Sequence, residues 1–320
     1  MNPPLRKLLL LLLLAAGVAQ AQPYPAKPIR LIVPWAPGGS TDVLARIVGQ
    51  KFTEAWGQPV LIDNRPGASG NVGSDAIAKA APDGYNLLVG SMSTHAMNGA
   101  LYDHMPFRPV DDFAPVAILA YVTNVLAVHP SVKANTVPEL ISYAKANPGK
   151  LNYASAGSGS TNHLSAALFE NMAGIRMTHI PYKGGAPAVT DLVGGQVDLL
   201  FTGLTNVSAH VKAGRLKVLA VTESQRARVL PDVPTVAETL PGYEMAVWYG
   251  MFAPAGTPPD LVHRLNSEAN RIMLLPDVTA RLAPLGAEAV TRSAPEFARI
   301  LKSDELKWNR IIHEVGAKAE

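Results

Sequence analysis

The chain of 320 residues contains no cysteine. That excludes a disulfide framework, a thiolate metal site, a cysteine nucleophile and a lipid-bearing cysteine near the N-terminus. Charge is also sparse, at 17% of residues, with a formal net charge of +3. Without Arg6 and Lys7, which fall in a leader considered below, 26 basic side chains face 25 acidic ones. A near-neutral chain with no basic run gives no support for nucleic-acid binding. Past the leader, no apolar run approaches the length of a membrane span. Hydrophobic content of 48% nevertheless places the chain among ordinary globular proteins rather than disordered ones. Its length suits two domains.

The common catalytic signatures are missing as well. There is no G-x-x-x-x-G-K-[ST] phosphate loop, no G-x-S-x-G nucleophile elbow and no H-E-x-x-H zinc motif. Gly157-x-Gly159-x-x-Asn162 lacks the third glycine of the dinucleotide fingerprint. Ser158 or Ser160 beside His163 is a thin hydrolase signal, because no residue is identifiable that would orient the base. The histidines are scattered, so neither a metal nor a cofactor is expected.

Met1 to Ala21 reads as a secretory signal. Arg6 and Lys7 form its charged start, Leu8 to Leu14 its apolar core, and Ala19-Gln20-Ala21 its cleavage site. The expectation is a soluble, exported protein, periplasmic in a bacterium with two membranes.

What the mature chain does contain is a motif written twice. Gly39-Ser40-Thr41-Asp42 follows the apolar run Ile29 to Val33, and Gly159-Ser160-Thr161-Asn162 follows Leu151 to Ser155. Each copy precedes apolar residues at helical spacing: Val43, Leu44, Ile47, Val48 and Phe52, then Leu164, Ala167, Leu168 and Met172. The local reading is strand, glycine-rich turn, helix. The start of a helix carries unpaired N–H groups and the positive end of its dipole, so each turn is an anion site made of neutral parts. One such site in each half suggests two lobes gripping one acidic molecule.

Alternating strands and helices predict an α/β fold with mainly parallel sheets. Strands are expected at Ile29 to Val33, Val60 to Asp63, Asn86 to Gly90, Leu151 to Ser155, Met177 to Pro181, Val197 to Thr202 and Leu216 to Thr222. Helices are expected at Ser40 to Trp56, Asn71 to Ala80, Pro138 to Ala146 with Thr136 as cap, Ser160 to Ala173 and Pro187 to Val193. A further helix should end at Ala213. Phe113 to Val128 and Tyr243 to Ala253 read as two extended crossings between lobes, hence a hinge. Thr257 is expected to cap a helix beginning at Pro258, within a mostly helical segment from Asp260 to Val315.

The candidate site follows from these positions. Trp35 either closes over an apolar part of the ligand or simply packs. Asp42, in a first helical turn, is expected to brace rather than bind, since its charge would repel an anion. Ser93 and Thr94 stand just past a strand end, and Thr202 at another, where α/β folds place ligands. His163 is either a structural histidine or a contact, and Lys183 the one lysine near the site.

These residues together resemble the Bug-type solute-binding proteins of the tripartite tricarboxylate transporter family. The resemblance is carried by Val33-Pro34-Trp35-Ala36-Pro37-Gly38-Gly39-Ser40-Thr41-Asp42, by Asn64-Arg65-Pro66-Gly67-Ala68-Ser69-Gly70 and by Pro82-Asp83-Gly84-Tyr85. Tyr153 to His163, Pro181-Tyr182-Lys183-Gly184, Gly194-Gly195-Gln196-Val197-Asp198 and Ala253-Pro254-Ala255-Gly256-Thr257-Pro258 complete it. It implies a two-lobed, Venus-flytrap periplasmic binding protein of type II-like topology. Such a protein is a monomer without enzymatic activity that carries a small carboxylate to membrane permease subunits. Residues 22–122 plus 247–320 would form one lobe and 123–246 the other. The contacts implied are Ala36, Gly38, Gly39 and Thr41 in the first lobe, and Ser155, Gly157, Ser158, Gly159 and Ser160 in the second; Ser40, within the first turn, is a further candidate. The ligand could be a dicarboxylate, a tricarboxylate, an acidic amino acid or an aromatic acid. An exported hydrolase using a Ser/His pair in the same cleft is the alternative.

Overall fold

A computed structural model describes residues 24–316 and 318. The leader at Met1 to Ala21 lies outside them. None of the described helices is long and apolar enough to cross a membrane.

The first sheet begins with β1 (Ile29–Val33), α1 (Ser40–Trp56), β2 (Val60–Asn64), α2 (Asn71–Ala78) and β3 (Asn86–Ser91). After β3 a wide helical turn at Ser93–Met97 runs into the short α3 (Asn98–Leu101). The long β4 (Phe113–Val122) and β5 (Asn124–Val128) then carry the chain across. The second half runs α4 (Val137–Ala146), β6 (Asn152–Ser155), α5 (Thr161–Ala173), β7 (Thr178–Pro181), α6 (Gly185–Val193), β8 (Leu199–Gly203), α7 (Leu204–Lys212) and β9 (Lys217–Val221). The return is β10 (Val247–Pro254), followed by α8 (Pro259–Met273), α9 (Pro276–Leu282), β11 (Ala287–Ala289) and α10 (Ala294–Val315).

Two sheets result, ordered β11-β4-β10-β3-β1-β2 and β7-β6-β8-β5-β9. They are mixed rather than mainly parallel. The strand–helix repeats pair in parallel, β1 with β2 and β3, and β6 with β7 and β8. The crossing strands insert antiparallel: β10 between β3 and β4, and β5 between β8 and β9. A strand that leaves one sheet to start another enters it from the opposite end, and so reverses its direction there. Both crossing strands are almost wholly buried, which fits their unbroken apolar sequences better than an alternating face would.

Thr136 caps α4 by accepting the Glu139 N–H. The expected cap at Thr257 is not found. Pro258 occupies that place because the following Pro259 forces it out of helical geometry, and the Thr257 hydroxyl donates to Pro254 O at 2.8 Å instead. The three-residue β11 had no signal in its sequence; it exists because Val122, Tyr121 and Ala120 of β4 offer it a free edge. Trp248, Phe252, Phe297 and Trp308 pack α10 against the first sheet, and Trp248 Nε1 donates to Asp304 at 2.7 Å.

Candidate functional site

The carboxyl ends of β1 and β6 aim their turns at each other across the lobes. The cleft has an inner chamber of about 30 Å³ and an outer one of about 150 Å³, with Trp35 and Ala156 lining both. The inner chamber is walled by Gly39, Ser40 and Thr41 from the first turn and by Ser160, Thr161 and Asn162 from the second. Ser91, Ser93, Gly185, Asn206 and Tyr249 complete it, so no charged side chain lines it. The outer chamber is lined by Ser69, Tyr102, Gly157, Ser158, Tyr182 and Lys183 among others, with Lys183 its one charged group.

Each turn is held by the third residue of its helix. Gly39 is the cap of α1, and Asp42 Oδ2 reaches back to accept the Gly38 N–H at 2.9 Å and Arg46 Nε at 2.8 Å. Its other oxygen accepts Asn64 Nδ2 at 2.9 Å. Burial works against the Asp42 charge, but the Arg46 guanidinium and the Gly38 and Asn64 donors outweigh it and hold the carboxyl below its usual range. Asp42 is thus a brace, turned away from the chambers it helps to shape.

The second turn is one residue out of step. Ser160, not Gly159, caps α5, and its hydroxyl accepts the His163 N–H. His163 Nδ1 then accepts the Gly159 N–H at 3.0 Å, so Nδ1 carries no proton. Behind it His163 stacks on His179 (4.2 Å between centroids), which stacks on Tyr153 (4.8 Å). His179 Nε2 is 2.6 Å from Ser155 Oγ, which accepts the Gly157 N–H. Burial, and then the neighbouring His179, pulls His163 down to about 3; burial pulls His179 down to about 4. Both rings are neutral supports.

Several expected contacts therefore stand behind the cleft rather than in it. His163 and Ser155 hold the turn from below. Thr94 is turned into the core, its hydroxyl bonded to Ser91 and to His95 Nδ1. Thr202 is fully buried and accepts Asn206 Nδ2 at 2.8 Å. Ala36 and Gly38 meet the opposite lobe, close to Gly184 and Ala186. The reason is shared: at a strand end, alternate side chains point into the sheet's own packing, and sequence does not say which.

Other residues went unnoticed in the sequence. Ser40 Oγ bonds across to Thr205 and, at 3.1 Å, to Asn206. Ser69 and Tyr102 of the first lobe both donate to Ser158 O of the second. Ala68 and Ser69 have positive φ, 44° and 50°, an unusual pair of non-glycine residues. Asn64-Arg65-Pro66-Gly67-Ala68-Ser69-Gly70 carried part of the family resemblance, yet only the fold puts Ser69 against the other lobe.

The tripartite tricarboxylate transporter family receptor model matches residues 44–317. This chain belongs to that family. BugT of Bordetella pertussis is 38% identical over 309 residues, covering 95% of this chain and 94% of its own. Among solved structures, R. palustris Rpa4515 with adipate has a TM-score of 0.90 at 37% identity, covering 93% of this chain and all of that one. MatC of Rhodopseudomonas palustris with bound malate has a TM-score of 0.87 at 34% identity, covering 90% of this chain and all of that one. The family is one of solute-binding receptors, and the two-lobed periplasmic binding protein fold is shared throughout these matches.

Proposed function

We propose that this receptor captures a small carboxylate between its lobes and delivers it, chemically unchanged, to membrane permease subunits from the periplasm. The observation that carries this reading is the convergence of two helix N-termini, those of α1 and α5, on one chamber without a charged wall. Free N–H groups and two dipoles favour an anion there, and hydroxyls replace the water it sheds. Gly39, Ser40, Thr41 and Ser93 would contact it from one side, and Ser160, Thr161 and Asn162 from the other, with Gly159 shaping the turn behind them. Ser158, Trp35 and Lys183 border the outer chamber, where Lys183 is the cation within reach of a second carboxylate. The adipate and malate of the two relatives support the ligand class.

The inner chamber has room for water but not for a dicarboxylate. Capture thus requires the lobes, 22–122 with 247–320 and 123–246, to part about the two crossings. Ser40 with Thr205 and Asn206 on one flank, and Ser69 and Tyr102 with Ser158 on the other, would be the bonds exchanged. The hydrolase reading fares worse. His163 spends its free nitrogen on Gly159, and the Ser/His pair beside the cleft, Ser155 with His179, lies under the turn with Ser155 fully buried, while the other close pair, Ser131 with His129, lines neither chamber.

The test is a thermal-shift panel of malate, adipate and citrate, followed by mass analysis of each acid. At least one should raise the melting temperature and be recovered intact. A ligand at a hundredfold excess over its Kd stabilises by about 2.7 kcal/mol. A converted acid, or a panel without any shift, would overturn the proposal.

A further inference from the structure

A second cavity, of about 720 Å³, lies at the hinge and shares no lining residue with the cleft. Its size falls in the range of small-molecule sites. Tyr121 contributes from the end of β4 and Thr123 from the step to β5, Glu223 and residues 225–229 from the segment after β9, and Ala283, Pro284 and residues 286–288 from the turn into β11. The crossing itself is one wall: the Thr123 N–H donates to Gly286 O, and Thr123 O accepts the Leu204 N–H, both at 2.7 Å.

Glu223 is the distinctive group. One of its oxygens accepts the Asn124 N–H at 2.8 Å. The other, Oε2, is buried and has no partner among the described residues. Burial pushes this carboxyl up to about 7, since no cation offsets the lost water. The nearby Arg226 is already committed to Glu238 through two hydrogen bonds of 2.8 Å. Glu288 adds a second acid and Arg228 a base with no ion-pair partner among the described residues, while Val229, Pro284 and Tyr121 supply apolar surface.

We infer that this cavity is a second small-molecule site, for a compact organic ammonium whose charged end meets Glu223 and whose apolar body lies along Val229, Pro284 and Tyr121. A cationic donor that reaches Glu223 from the cavity supplies both the hydrogen bond and the counter-charge this carboxyl lacks, which neither a neutral nor an acidic molecule does. The preference is opposite to that of the cleft, so the two sites are separable by ligand charge. The inference does not rest on the carboxylate reading of the cleft.

Isothermal titration of the purified protein with hexylammonium, against 1-hexanol as the uncharged body, tests it. Hexylammonium should bind saturably at one site and at least about tenfold more tightly than the alcohol. Glu223→Gln, which keeps an acceptor for the Asn124 N–H, should lose about tenfold or more while leaving circular dichroism unchanged. Val229→Trp, at an exposed position of the wall, should abolish binding by filling the space. Absence of saturable heat up to about 10 mM, or equal affinity in Glu223→Gln, would overturn the inference.

Discussion

The two turns are spelled alike and built differently. Matched by their letters, Gly39-Ser40-Thr41-Asp42 lies on Gly159-Ser160-Thr161-Asn162. Matched by geometry, Gly38 lies on Gly159, both at positive φ (87° and 90°), Gly39 on Ser160 as caps, and Asp42 on His163 as the braces. In both, the side chain three places into the helix accepts the N–H of the residue before the cap. What recurs is that back-reaching bond, made by a carboxylate in one lobe and a neutral imidazole in the other. An anion site can tolerate either brace, because Asp42 is neutralised by Arg46 and turned away, and His163 has no charge to offer.

The comparison can be broken most sharply at Gly159. An added Cβ there would meet Leu101 at 3.1 Å and Asn98 Oδ1 at 3.5 Å, both in the opposite lobe. Gly159→Asp thus obstructs closure and adds a like charge beside the cleft that holds the anion. Two unit charges roughly 4 Å apart at an effective dielectric near 20 repel by about 4 kcal/mol. A loss of at least about a hundredfold in affinity for the acid found by the panel is expected, once circular dichroism confirms a native fold. Wild-type affinity would remove the second turn from the site.

The register is sharpened by three alanine substitutions measured by denaturant unfolding. Gly38→Ala and Gly159→Ala should each cost about 1–2 kcal/mol, because both put a Cβ on a left-handed backbone. Gly39→Ala, at φ −81° with no atom closer than 3.9 Å to its new Cβ, should stay within about 0.5 kcal/mol. A Gly39→Ala protein as unstable as the other two would restore the letter-by-letter match.

The third contrast is a difference in pH window. His163 is depressed in the folded chain, so the unfolded chain takes up its proton first. The stability it lends is lost as pH falls below about 6.5, at up to about 1.4 kcal/mol per pH unit. Asp42 is depressed as a carboxyl, so its contribution holds above about 3.9 and fades only below that. Melting curves of His163→Gln should therefore diverge in slope from wild type between about pH 6.5 and 3, and those of Asp42→Asn only below about pH 4. Identical windows would mean that the two braces do not differ in kind.

Much of the fold was legible because its signals are local. The apolar run at Ile29–Val33, the cap at Thr136 and the glycine-rich turns each act within a few residues, and the strands and helices lie close to where they were read. The site was legible in outline only. Ser93 lines the cleft and Thr94, beside it, does not; Lys183 reaches the outer chamber, whereas His163 stops beneath the turn. Ser69, Tyr102, Thr205 and Asn206 carried no individual signal, because their partners are supplied by the other lobe.

By itself, then, the sequence determined the alternation of elements, the absence of catalytic and metal chemistry motifs, and the pair of turns able to hold an anion. These are consequences of backbone sterics and apolar period, which need no distant partner. Only the tertiary structure decided that the sheets are mixed, that the turns are offset by one residue, and that Asp42 and His163 do the same work. It also decided that Glu223, an ordinary acid in the sequence, is half-buried at the hinge with one oxygen buried and unpaired among the described residues. Such facts depend on which side chains packing brings into hydrogen-bond range across the chain, and a bond that is closed at about 3 Å between residues far apart leaves no periodic trace in the letters.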